Sequence, residues 1–341
     1  MDEHDAAAAR AQAIAALAEI AFLLERSHAE TQRTQAFRRA QGVIAALTPA
    51  EFGKRLNAGT LQELPGIGKT TSEVIQVAAR GDEPEYLRRA RGAAPPDPGE
   101  GEAIVRELRG DLHSHSDWSD GGSPILEMAE TARALGHEYL ALTDHSPRLT
   151  VANGLTRKRL EQQLEIVAEL NTHWDDFRIL TGIEVDILDD GALDQDQDLL
   201  ESLDIVVASV HSKLRMPAAE MTPRMLAAIA NPATTVLGHC TGRMTTRNRV
   251  RPPSEFDAEL VFAACREYGV AVEINCRPER QDPPEELMAL ALEMGCTFSI
   301  DTDAHAPGQL AWLPFGAQRA AAVGVAIDQI INTREALGEP S

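Results

Sequence analysis

Apolar and polar positions recur at helical spacing over residues 6 to 25, 31 to 46 and 49 to 57, and again from Thr71 to Ala79. These stretches, rich in Ala, Leu and Ile, predict a small all-helical region. Downstream the period changes. Short β-rich runs near 109–113, 138–144, 178–185, 203–211, 235–239, 269–275 and 297–303 end in polar residues and alternate with amphipathic helical stretches. Regular alternation predicts a parallel sheet with helical crossovers, and seven strands without reversal predict a closed or nearly closed α/β barrel. Between the two patterns, Gly81-Asp82-Glu83-Pro84 and the Pro/Gly-rich run from Gly92 to Gly101 cannot continue a helix. The expected organisation is a helical domain at 1–90, a linker at 91–105 and an α/β domain at 106–341.

Composition narrows the function classes. With 341 residues and 43% apolar content, the chain can bury proper cores and is not a disordered tail. Its formal charge of -21 argues against a globally basic nucleic-acid coat or a membrane-surface protein. The charge is uneven: residues 1–100 hold 12 basic and 14 acidic groups, the remainder 20 and 39. Any contact with a polyanion must therefore be local. The four cysteines, Cys240, Cys265, Cys276 and Cys296, form no C-x-x-C pair, which suggests reduced thiols in the cytoplasm. The N-terminus is acidic where a signal peptide would be basic, and the apolar stretch from Ala11 to Leu24 is broken by Glu19. No membrane association is expected.

In an α/β barrel the chemistry sits where strands end and βα loops begin. The seven runs end in Asp111-Leu112-His113-Ser114-His115 with Ser119-Asp120-Gly121 after it, Thr143-Asp144-His145, Gly182-Ile183-Glu184, Ser209-Val210-His211, Gly238-His239, Glu273-Ile274-Asn275 and Asp301-Thr302-Asp303-Ala304-His305. A lone histidine at a strand end is most often hydrogen-bonded without metal. Several at equivalent positions, interleaved with Asp120, Glu184 and Asp303, point to metal. His113 and His115 share one face of an extended segment, as do Asp303 and His305. Converging imidazoles and carboxylates suit Zn, Mn or Fe, and nine candidate ligands exceed what one ion takes, so two or three ions are expected. Such a cluster hydrolyses phosphate esters. Further positive charge for the substrate could come from Arg243, Arg247, Arg249 and Arg251 in the loop after the fifth run, or from Lys213. Trp118 could stack on a base or sugar, or simply pack.

These motifs resemble the PHP (polymerase and histidinol phosphatase) family over about 235 residues. The resemblance implies a distorted seven-stranded (β/α) barrel with a trinuclear site. One ion would fall to His113, His115, Glu184 and Asp303, a second to Glu184, His211 and His239, and a third to Asp120, His145 and His305, with Glu184 as a bridging catalytic residue. Cys240 stands where bacterial family X DNA polymerases usually have proline.

Leu64-Pro65-Gly66-Ile67-Gly68-Lys69-Thr70 fails as a phosphate-binding P-loop, because Glu63 occupies the required first glycine and no strand precedes it. It reads instead as a helix-hairpin-helix turn, whose glycines let backbone N–H groups approach a nucleic-acid phosphate. From about Ala13 to Leu87 the chain resembles the N-terminal helical domain of bacterial family X DNA polymerases, with Phe37-Arg38-Arg39-Ala40 in common. Gly66, Gly68, Lys69, Arg38 and Arg39 are the candidate nucleic-acid contacts, with Arg33, Lys54 and Arg55 as further cations. No nucleotidyltransferase unit separates the two domains, so polymerase activity is expected to be missing. The leading expectation is a metal-dependent phosphoesterase that processes DNA ends or acts as a 3′-5′ exonuclease in repair. The alternatives are a phosphatase of small esters, such as a nucleotide or histidinol phosphate, and a DNA-binding module that no longer catalyses.

Overall fold

A computed structural model describes residues 3–246 and 249–334, and the chain divides into two compact units, Met1–Pro95 and Pro96–Ser341. The first is all-helical: α1 (Glu3–Arg26), α2 (Thr31–Ala45), α3 (Pro49–Ala58), α4 (Lys69–Ala78) and α5 (Glu85–Arg91). α1 is longer than the apolar stretch visible in the sequence, and by length and composition alone it could cross a membrane. Its apolar stripe is the core of this unit. Ala13, Leu17 and Ile20 are wholly buried, clustered with Phe37, Ile44, Phe52 and Ile75. Thr48 and Glu51 close a capping box at the start of α3, and Gly59 ends that helix in the left-handed region. α5 was not anticipated, because Pro84 reads as a break; it stands instead just before the first turn, and Leu87 anchors the helix in the core.

The second unit is a parallel barrel with α6 (Glu102–Glu107), α7 (Ile125–Ala134), α8 (Arg157–Leu170), α9 (Gln197–Leu200), α10 (Ala218–Ile229), α11 (Ala258–Tyr268), α12 (Glu285–Glu293) and α13 (Leu313–Val323). Its strands are β1 (Gly110–Ser114), β2 (Tyr139–Leu142), β3 (Arg178–Asp186), β4 (Ile205–Ser209), β5 (Val236–Leu237), β8 (Ala271–Asn275) and β9 (Phe298–Asp301); β6 (Met244–Thr245) and β7 (Val250–Arg251) form a separate hairpin between β5 and β8. The sheet order is β1-β2-β3-β4-β5-β8-β9, and a parallel bridge from Ser114 to Ala304 brings its two edges together, so the barrel is nearly closed. The seven predicted runs are these seven strands. The expected linker is helical at its end, where Ile104 of α6 joins the barrel's core; Pro and Gly punctuation hid that turn.

Position along each strand decides the chemistry. Leu112, Tyr139, Ala141, Leu180, Ile205, Val207, Val236 and Ala271 form one buried apolar cluster. Because side chains alternate with period two, Ser209, Glu273 and Glu184 lie farther along the same faces as Val207, Ala271 and Leu180. The apolar floor therefore gives way to a polar mouth.

Candidate metal centre

Glu184, near the end of β3 and almost wholly buried, is the hub of that mouth. Its Oε1 lies 2.8 Å from His239 Nε2 and 3.1 Å from His211 Nε2. Its Oε2 lies 2.9 Å from His145 Nδ1, 3.3 Å from His113 Nε2 and 3.5 Å from His115 Nε2. Asp303 Oδ1 stands 3.4 Å from His115 Nε2, and Asp120 Oδ1 stands 3.4 Å from both His145 Nε2 and His305 Nε2. All nine side chains thus meet in one pocket. His239 and Asp303 hold positive φ angles of 20° and 52°, uncommon for non-glycine residues and frequent at functional sites.

The electrostatics keep the cluster's carboxylates ionised. Burial would raise the Glu184 carboxyl, yet the neighbouring His211, His113 and His145 hold it well below its usual range. Asp303 is likewise held low against burial, by Arg277 and Arg280. The imidazoles split. Burial and the rings of His305 and His145 push His115 well down, and burial with Arg280 lowers His239 to about 4. At His211 burial is outweighed by Glu184 and Asp186, which raise it to about 9. Among the described residues, His113 Nε2, both ring nitrogens of His115 and His211, and Glu184 Oε2 are buried without a hydrogen-bond partner. Unpaired buried polar atoms are costly, and a shared divalent ion satisfies several at once. Three sets present donor atoms within 4.8 Å of one another: His115, Asp120, His145 and His305; His113, His115 and Glu184; and His145, Glu184 and His211. The residues fit divalent metal.

Supporting groups were less legible. Glu273 on β8 accepts from His113 Nδ1 at 2.5 Å, and Asp186 on β3 accepts from the His211 backbone N–H. Asp144 accepts from Ser116, Ser119 and Gln163, bracing the loop that carries Asp120. Gly154 passes so close to Ser146 that an added Cβ would meet its carbonyl at 1.8 Å, which holds the loop after His145 compact. Among the described residues, the cations nearest the cluster are Arg277 and Arg280, in the loop after β8. Arg277 is 3.7 Å and Arg280 is 3.1 Å from Asp303, and Arg277 also touches His305 Nδ1 at 3.0 Å. Nothing in sequence spacing singled them out, although they follow a strand end as closely as the ligands do.

Other candidate cations lie elsewhere. Lys213 pairs with exposed Asp189. Arg243 lines a cavity of 420 Å³ with Asn275, Cys276, Phe315 and Arg319, and it makes no ion pair with the cluster among the described residues. Arg251 donates to the Gly242 carbonyl, Arg249 is exposed, and Arg247 lies outside the described residues. Cys240 is buried with its thiol toward Asp282. Trp118 packs partly into the core, and Arg159 lies over its ring at 5.9 Å. In the helical unit, Gly66 takes φ 95°, and a Cβ there would meet the Arg39 side chain at 3.0 Å. Gly68 stands at the N-cap of α4 with open space where a Cβ would be, and Lys69 and Arg39 are exposed. Arg38 is committed elsewhere, in a two-pronged ion pair with Glu25.

The PHP domain model matches residues 111–277, and a helix-hairpin-helix domain model matches residues 8–81. A probable phosphatase of Thermoanaerobacter sp. (strain X514) is 30% identical over 238 residues, covering 65% of this chain and 89% of that protein. The chain belongs to the PHP-domain family. This chain is a PHP-type phosphate-ester hydrolase. The DNA polymerase/3′-5′ exonuclease PolX of Bacillus subtilis (strain 168) is 44% identical over 199 residues, which is 58% of this chain and 34% of that one. This PHP protein thus spans about a third of that relative's length. A solved histidinol phosphate phosphatase of Lactococcus lactis, in complex with zinc, L-histidinol and phosphate, aligns over 64% of this chain and 95% of that one, at 18% identity and a TM-score of 0.46.

Proposed function

We propose that this enzyme hydrolyses phosphodiester bonds at DNA ends, as an end-processing enzyme or 3′-5′ exonuclease in repair, using two to three Mn, Zn or Fe ions. The observation that carries it is the presence, on one chain, of a nine-residue cluster around Glu184 and a helix-hairpin-helix match. The identity to a protein named for 3′-5′ exonuclease supports the same substrate class. His113, His115, Glu184 and Asp303 would hold one ion, Glu184, His211 and His239 a second, and Asp120, His145 and His305 a third. Bound ions lower the pKa of water and neutralise phosphoryl oxygens during in-line displacement.

The chain's own groups do the rest. Glu184, shared between two sites, sets the spacing of the ligand sets. Arg277 and Arg280 replace Arg243 and Lys213 as the phosphate clamp, because they alone among these four reach the cluster's carboxylates. In the helical unit, backbone N–H groups at the Gly66–Gly68 turn and the first turn of α4 contact a DNA phosphate, with Lys69 and Arg39 beside them. Four free, buried thiols accord with the cytoplasm as its compartment.

A second reading, dephosphorylation of a small phosphomonoester, is favoured by the phosphatase relative that this chain nearly spans and by the charge of -21. Manganese-loaded protein should be offered labelled single- and double-stranded oligonucleotides beside a panel of phosphomonoesters. Shortening of the DNA is expected. Phosphate release from small esters with no shortening would reject the DNA reading in favour of the second.

A further inference from the structure

Glu273 lies on β8, wholly buried, and belongs to none of the three metal-ligand sets. Its two oxygens are both used. Oε1 meets His113 Nδ1 at 2.5 Å, across 160 residues of sequence. Oε2 accepts the backbone N–H of His239 at 2.5 Å and the side-chain amide of Asn275 at 3.2 Å. Asn275 in turn donates to Asp303 at 3.2 Å.

The consequence for His113 is directional. A carboxylate on Nδ1 makes that nitrogen the donor, so in the neutral ring that binds a metal it is Nε2, 3.3 Å from Glu184 and turned into the cluster, that carries the lone pair. At His239 the carboxylate acts on the backbone. That residue holds φ 20°, outside the usual regions, and an anion on its N–H fixes the conformation that delivers Nε2 to Glu184. One side chain therefore sets a ring on β1 and a backbone turn after β5.

We infer that Glu273 is a positioning residue that orients His113 and His239 together and so couples two of the metal sites, leaving the third, built on Asp120, His145 and His305, outside its reach. This rests on the metal reading given above. Asp120 and His305 have supports of their own, in Ser119 with Asp144 and in Arg277.

The test is metal binding by the full chain, with the metal-free protein titrated with Mn²⁺ against a chromophoric chelator and its content confirmed by elemental analysis. Glu273→Gln keeps the volume and removes the charge. It should weaken two of the three binding steps by roughly 10–100-fold and leave the third unchanged, with kcat recovering at saturating Mn²⁺. A titration that superimposes on the parent overturns the inference, whatever happens to the variant's thermal stability, and so does equal weakening of all three steps. Parent protein that takes up no metal sinks the metal reading itself, a result distinct from either. Should Glu273→Gln fail to fold, ¹⁵N-histidine spectra of the zinc-loaded parent decide. The His113 ring, assigned by loss of its signals in His113→Gln, should carry its proton on Nδ1; a proton on Nε2 overturns the inference.

Discussion

Five imidazoles crowd one carboxylate at Glu184, an arrangement stable only while charge balances around a shared centre. Glu184→Ala removes a partner common to all five. Turnover is expected to fall by about 10²–10³-fold or more, with bound metal reduced in the same samples by elemental analysis. Arg280 acts on a different quantity. Its guanidinium faces Asp303 and offers further donors to a phosphoryl oxygen, so Arg280→Ala should lower kcat/KM by roughly 10–100-fold, mostly through KM, while metal content holds. Steady-state kinetics on a labelled oligonucleotide, with metal assayed in parallel, separates the two residues. Neither arginine was singled out by spacing, because a long side chain goes to the nearest carboxylate in space. Lys213 went to Asp189 and Arg38 to Glu25 for the same reason.

At the scale of elements, α1 holds the helical unit together by one stripe. Leu17→Ala should cost about 2–5 kcal/mol, since the residue is fully buried among Phe37, Ile44 and Phe52, and urea denaturation followed by circular dichroism would register it. In the barrel, His137 leads into β2. Burial lowers its imidazole to about 4, and Nδ1 has no hydrogen-bond partner among the described residues. The sign follows from the depressed value: the neutral ring's contribution is complete above the ordinary pKa of about 6.5 and is lost as pH falls through about 4. His137→Gln should therefore flatten the acid limb of stability between those values, read as urea midpoints at stepped pH against the parent. Strand positions were legible from period two and the polar ends of each run. α5 and α6 were not, because a proline or glycine that breaks one helix also opens the next.

For the molecule as a whole, the proposed division of labour places capture on one unit and hydrolysis on the other. Deleting residues 1–90 should weaken activity on DNA and spare a chromogenic phosphate ester; equal loss on both would show that the helical unit supports folding alone. With Arg38 occupied, Arg33, Arg39, Lys54, Arg55 and Lys69 remain as phosphate contacts. The log–log salt dependence of duplex binding should then have a slope no steeper than about -4.5. A steeper slope would mean phosphate contacts beyond these five, from other arginines of the helical unit or from the acidic unit.

The sequence by itself determined the chemistry. Ligand residue types stand at the ends of strands whose order is set by alternation with helices, and period-two geometry points them to one mouth, so the cluster could be read before any distance was known. Tertiary structure decided what surrounds it: which arginines face the carboxylates, that Glu273 braces two ligands from strands far apart in sequence, and that Arg38 is committed. Those outcomes depend on which charged groups meet when the barrel nearly closes and the helices pack, and residue order does not encode that separation.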